Sequence, residues 1–123
     1  MMATLGKVLV VEDEVLIAMS LSDALREMGH SVCAMADTAR DAITLVGEHR
    51  PSLVLMDIRL RAGEDGVHAA REIRHRYGRI PILFLTGSCE PEVLDRTKDL
   101  GRVLIKPVLE EQLRAAINAV LAA

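Results

Sequence analysis

Five short, almost unbroken apolar runs, separated by stretches of helical spacing, limit this chain more than any other feature. The runs fall at residues 7–11, 31–36, 53–56, 80–85 and 103–105. Each is short and nearly continuously apolar, the pattern of a strand buried on both faces. Between them, apolar residues recur at steps of three and four. Ala18, Leu21, Leu25 and Met28 form one stripe, stopped by Gly29. Ala39, Ala42, Ile43 and Val46 form a second, and Gly66 precedes a third through Ala70, Ile73 and Tyr77. Pro91 suits the first turn of a fourth helix, which carries Val93, Thr97 and Leu100 and is closed by Gly101. Leu109, Leu113, Ile117 and Val120 mark a fifth.

Five βα units in succession predict an α/β fold, a doubly wound five-stranded parallel sheet with helices on both faces. Right-handed crossovers leave few topologies, and the flavodoxin-like order 2-1-3-4-5 is the natural one. The 123 residues suffice for one domain, and no linker, repeat or low-complexity tract divides them. A single domain over 1–123 with no effector domain attached is expected. Half of the residues are hydrophobic, yet there is one Phe and one Tyr, so the core must be aliphatic. A net charge of −3 gives no reason to expect nucleic-acid binding. No apolar run approaches the ~18 residues of a membrane span, and the N-terminus lacks a signal-peptide layout. Cys33 and Cys89 lack CxxC spacing and read as free thiols of a reducing compartment, which places the chain in the cytoplasm.

In a doubly wound sheet, sites form outside the carboxyl ends of the strands. The first run ends in Glu12 and Asp13, the third in Asp57, the fourth in Thr86 and the fifth in Lys106-Pro107. Three acids, a hydroxyl and an amine therefore converge on one rim. Adjacent carboxylates repel, and burying them is costly unless a positive partner meets them. Lys106 is one such partner, and clustered carboxylates also suit Mg²⁺, which takes hard oxygen ligands. An aspartate beside a metal, an ammonium and a hydroxyl is a plausible nucleophile toward a phosphoryl group. The cations would neutralise charge on the equatorial oxygens. Glu14 reads as the ordinary acid of the three, opening a helix whose N-terminus favours negative charge.

VVEDE on strand one, LMDIRL on strand three with Asp65-Gly66 downstream, FLTG on strand four and LIKP on strand five together resemble a CheY-like receiver domain of two-component response regulators, over essentially the full chain. The resemblance implies that Asp57 accepts a phosphoryl group from the phosphohistidine of a sensor histidine kinase or phosphotransfer protein. It implies that Glu12, Asp13 and Asp57, with the Arg59 backbone carbonyl, hold Mg²⁺. Lys106 would pair with the phosphoryl oxygens, Thr86 would move toward them, and the Lys106–Pro107 bond would be cis. The phosphoryl group would be lost by slow self-hydrolysis, without turnover of an external substrate. Output would come through protein contact, with the surface of the fourth helix, fifth strand and fifth helix as the implied face, or through phosphate-sink behaviour.

Three positions depart from the family pattern. Glu12 stands where Asp is common, the RLRAGEDG loop is one residue longer than the usual form and lacks its Pro, and Val103 replaces the usual switch aromatic. Phe84-Leu85-Thr86-Gly87 is similar to the signature of stand-alone receivers that lack that aromatic. Arg59 and Ser88 are candidates for tuning water access to the acyl phosphate. His30, His49, His68 and His75 are scattered and suggest no metal site, while Arg59, Arg61, Arg71, Arg74, Arg76 and Arg79 make either a solvated face or a docking surface for an acidic partner. A phosphohydrolase would need an acid two residues after its nucleophile, where Arg59 stands. A flavin site would need a hydroxyl-rich loop and stacking aromatics that this chain lacks. A receiver-like interaction module that is not phosphorylated remains the alternative.

Overall fold

A computed structural model describes residues 5–87 and 90–122. The elements run β1 (Lys7–Val11), α1 (Val15–Glu27), β2 (Ser31–Ala36), α2 (Ala39–His49), β3 (Leu53–Asp57), α3 (Gly66–Tyr77), β4 (Ile82–Thr86), α4 (Pro91–Thr97), β5 (Gly101–Ile105) and α5 (Glu110–Ala122). A single 3-10 turn, Arg61–Gly63, interrupts the connection from β3 to α3. All strand pairs are parallel and the sheet order is β2-β1-β3-β4-β5, as the alternation of elements predicts.

The two-residue period of the strands divides the core between the two faces of the sheet. Leu9, Val11, Val54, Met56, Ile82 and Phe84 point to one side, where Ala42 and Val46 of α2 and Ala70 and Ile73 of α3 cover them. Val8, Val10, Leu53, Leu55 and Leu83 point to the other, against Ala18 and Leu25 of α1 and Leu113, Ala116 and Ile117 of α5. The core is aliphatic with one exception: Phe84, the only phenylalanine, is among its largest fully buried side chains.

Burial on both faces holds for β1 beyond Lys7 and throughout β3 and β4, but not for β2 and β5. Those two lie at the sheet edges, where only one neighbour screens them. Three boundaries also differ from the sequence reading. β4 starts at Ile82 rather than residue 80, because Pro81 has no N–H to give the ladder and contributes only its carbonyl, which accepts from Val54 N–H at 2.9 Å. β5 starts at Gly101, which therefore does not close α4; α4 ends at Thr97. A Cβ at position 101 would overlap the Ile82 carbonyl oxygen, so glycine is what allows β5 to pair so early with β4. No described helix is long and apolar enough to cross a membrane.

Candidate functional site

Strand registry brings the candidate site residues together. Val11 lies beside Met56, Asp57 beside Leu85, and Thr86 beside Ile105, so β1, β3, β4 and β5 all end at one level. The next residues, Glu12 and Lys106, step over the same rim. Backbone bonds fix those steps: Glu12 N–H donates to the Ala36 carbonyl at 2.9 Å and Lys106 N–H to the Thr86 carbonyl at 2.7 Å. Glu12, Asp57 and Thr86 are 3%, 5% and 4% exposed, so these polar side chains are held inside the fold rather than fringing it. Asp13 is half-buried.

One carboxylate oxygen each from Glu12, Asp13 and Asp57 lies within 4.8 Å of the others. The Lys106 ammonium donates to Glu12 Oε2 and to Asp57 Oδ2, both at 3.0 Å. The remaining oxygens face the backbone, Glu12 Oε1 accepting from Glu14 N–H at 3.3 Å and Asp57 Oδ1 from Arg59 N–H at 3.2 Å. Glu14 is the N-cap of α1, but its side chain makes no capping bond, so the helix start leans on Glu12 instead.

Charge balance explains the electrostatics. One ammonium is shared between two buried carboxylates, so neither is fully compensated. Burial raises the Glu12 carboxyl to about 7; Lys106 pulls it down, but the neighbouring Asp57 pushes it up again. Burial acts to lower the Lys106 ammonium, yet its bonds to Asp57 and Glu12 carry it above its ordinary 10.5. With all groups ionised, three acids and one ammonium leave two negative charges in a space a few ångströms across. An all-oxygen donor set with that surplus fits a hard divalent cation.

The β3–α3 connection lies directly over Asp57. Arg59 and Asp65 form an antiparallel bridge across it, and Gly66 N–H donates to the Ile58 carbonyl at 2.6 Å. A Cβ at position 66 would overlap the Asp57 carbonyl oxygen, so the glycine of Asp65-Gly66 is set by close approach to the backbone of Asp57 itself. Asp65 Oδ1 caps α3 by accepting from Val67 N–H at 2.9 Å. Within this loop the 3-10 turn sets Ala62 at φ 60°. Thr86 closes the rim on the β4 side. The Lys106–Pro107 bond is cis, as the resemblance implies. Ser88 and Cys89 lie outside the described residues.

Several contacts around the site were not expected from the sequence. The Arg61 guanidinium donates to the Asp13 carbonyl at 3.3 Å and pairs with Asp37 at 3.7 Å. Glu64 accepts from Ala39 N–H at 3.0 Å, tying the same loop to the start of α2. Arg71 and Arg74 of α3 reach the carbonyls of Arg96, Asp99 and Leu100 at 2.8–3.0 Å. The exposed Arg61 and Arg71 and the half-buried Arg74 thus also tie distant parts of the chain together. Local signals could not show this, because each partner is 24 or more residues away.

The response regulator receiver domain family matches residues 8–118. The transcriptional regulatory protein PdtaR of Mycobacterium tuberculosis is 37% identical over 115 residues, which are 91% of this chain and 55% of that protein. The phyllosphere-induced regulator PhyR of Methylorubrum extorquens is 31% identical over 116 residues, 94% of this chain and 43% of the relative. The chain thus spans about half the length of these curated relatives. Among solved structures, the signal receiver domain of a modulated diguanylate cyclase from Desulfovibrio desulfuricans superposes with a TM-score of 0.85 at 32% identity, covering 97% of this chain and 95% of the other.

Proposed function

This chain belongs to the response regulator receiver domain family, and on that premise we propose that it is a signalling switch controlled by phosphorylation of Asp57. The observation that carries the reading is the buried Asp57 carboxylate held at 3.0 Å by Lys106, with Glu12 and Asp13 completing an acid cluster at the same rim. The donor is a phosphohistidine on a sensor kinase or phosphotransfer protein. A carboxylate oxygen of Asp57 forms the new P–O bond as the donor's P–N bond breaks, leaving an acyl phosphate.

Glu12, Asp13, Asp57 and the Arg59 carbonyl are the residues that would hold Mg²⁺, which when bound neutralises phosphoryl charge. Lys106 remains beside the carboxylate and meets the phosphoryl oxygens. Thr86, at the end of β4, would hydrogen-bond one of them. Burial of Glu12 and Asp57 keeps bulk water from the acyl phosphate and fits slow self-hydrolysis. The charge and acceptor oxygens gained at Asp57 bias the surrounding loops, and the changed surface is read by a partner protein. The fourth-helix, fifth-strand and fifth-helix face is the proposed contact, in the cytoplasm.

Incubation of the full chain with Mg²⁺ and a small phosphodonor should add the mass of one phosphoryl group, read by intact mass. The gain should vanish in Asp57→Asn and without Mg²⁺. No gain in the wild type, with a small donor or its kinase, would refute this reading. It would favour the second one, an interaction module that is not phosphorylated, to which Val103 and the lengthened loop point.

A further inference from the structure

The short helix α4 is held in place by little apolar burial. Thr97 is its only buried residue, Leu94 is 48% exposed, and the Thr97 hydroxyl turns back to the Val93 carbonyl at 2.9 Å. What fixes the helix is polar and comes from the α3 side. Arg71 donates to the Arg96 carbonyl, and Arg74 to those of Asp99 and Leu100, just past the helix end. At the other end of α3, the Arg96 guanidinium forms an ion pair with Asp65. Asp65 is therefore shared: one oxygen caps α3 and the other holds α4. Through its bridge to Arg59, and through Gly66 lying on the Asp57 and Ile58 backbone, it is also part of the loop that covers Asp57.

The geometry points to Arg96 as a positioning residue, a latch that keeps α4 on the β3–α3 loop until Asp57 is phosphorylated. This inference rests on the phosphoacceptor reading of Asp57. Arg59 N–H now bonds Asp57 Oδ1 at 3.2 Å. A phosphoryl group there adds acceptor oxygens and charge that compete for this donor and displace the 57–59 segment. The displacement passes through the Arg59–Asp65 bridge to the carboxylate that Arg96 holds. α4 is thereby released, and the phosphorylated state is reported without the aromatic that Val103 replaces.

The test is hydrogen exchange of the α4 amides in the full chain, unmodified and after loading with Mg²⁺ and a small phosphodonor, with intact mass read on every sample. In unmodified Arg96→Ala, α4 should exchange roughly two- to fivefold faster than in the wild type, the scale of losing one partly exposed ion pair. Alanine is a better helix former than arginine, so intrinsic propensity predicts the opposite sign. Asp65→Asn, which keeps an acceptor for Val67 N–H, should act alike, and Arg96→Lys should restore most of the protection. Loading should bring the wild type to the Arg96→Ala rate and leave Arg96→Ala unchanged. Exchange in unmodified Arg96→Ala equal to the wild type overturns the latch. A loading response in Arg96→Ala as large as that of the wild type overturns the coupling. Absence of a mass gain in the wild type overturns the Asp57 reading and the coupling with it, while the unmodified variants still decide whether Arg96 holds α4.

Discussion

Replacing Glu12 with glutamine should make the metal-free protein more stable at alkaline pH and remove part of its pH dependence. Burial raises the Glu12 carboxyl from 4.5 to about 7 in the folded protein. The folded state thus binds this proton more tightly than the unfolded state, and between these two values it carries more of it. Stability must then fall as pH rises through that window, and the full cost is present above about 7. A tenfold difference in proton affinity between the two states is worth about 1.4 kcal/mol, so the cost at pH 8 is about 3 kcal/mol. Glutamine mimics the protonated carboxyl, retains an oxygen for Lys106, and should lie above the wild type by about that amount at pH 8. The two should converge toward pH 5. Urea unfolding in EDTA from pH 5 to 8 measures the difference, and comparing the two proteins cancels the titration of all other groups. Mg²⁺ should then stabilise the wild type by mass action and leave Glu12→Gln much less affected. A Glu12→Gln protein no more stable than the wild type at pH 8, or a difference independent of pH, would refute the reasoning.

Gly66→Ala should destabilise by about 1–3 kcal/mol, since the new Cβ meets the Asp57 carbonyl oxygen rather than a side chain that could swing away; chemical denaturation reads the loss, and a neutral result would mean that the loop shifts freely. Arg74→Ala leaves the Asp99 and Leu100 carbonyls without their donor and should cost about 1–3 kcal/mol, with faster exchange confined to the α4–β5 turn. His30 is buried and accepts from Gly6 N–H at 3.1 Å, and burial, with Arg114 nearby, lowers its basicity below the ordinary 6.5. The unfolded chain therefore takes up this proton first, and stability should erode as pH falls below 6.5. His30→Gln should lack that acid-side loss, which thermal melts from pH 7 to 5 would show.

The reach of the sequence follows from which contacts are local. Strand ends are local events: an apolar run stops, and the fold places every stop on one rim. Glu12, Asp57, Thr86 and Lys106 are therefore set side by side by the order of the runs alone. Boundaries failed where a backbone detail decided them, as with Pro81, which has no proton to give, and Gly101, which has no Cβ to clash. Edge burial failed because a run of apolar letters does not say how many neighbours a strand has. The arginines were opaque for a different reason. A charge count treats Arg61, Arg71 and Arg74 as surface, since the carbonyls they tie lie 25 to 48 residues away and carry no side-chain signature. These ties hold the loop over Asp57 and the helix beside it, the parts that the proposed switch would move. The residues proposed to do the chemistry are thus legible as types at strand ends. Residues that could relay its result use exposed arginines against backbone, and substituting them should change how the phosphoryl group is reported while leaving its arrival at Asp57 intact.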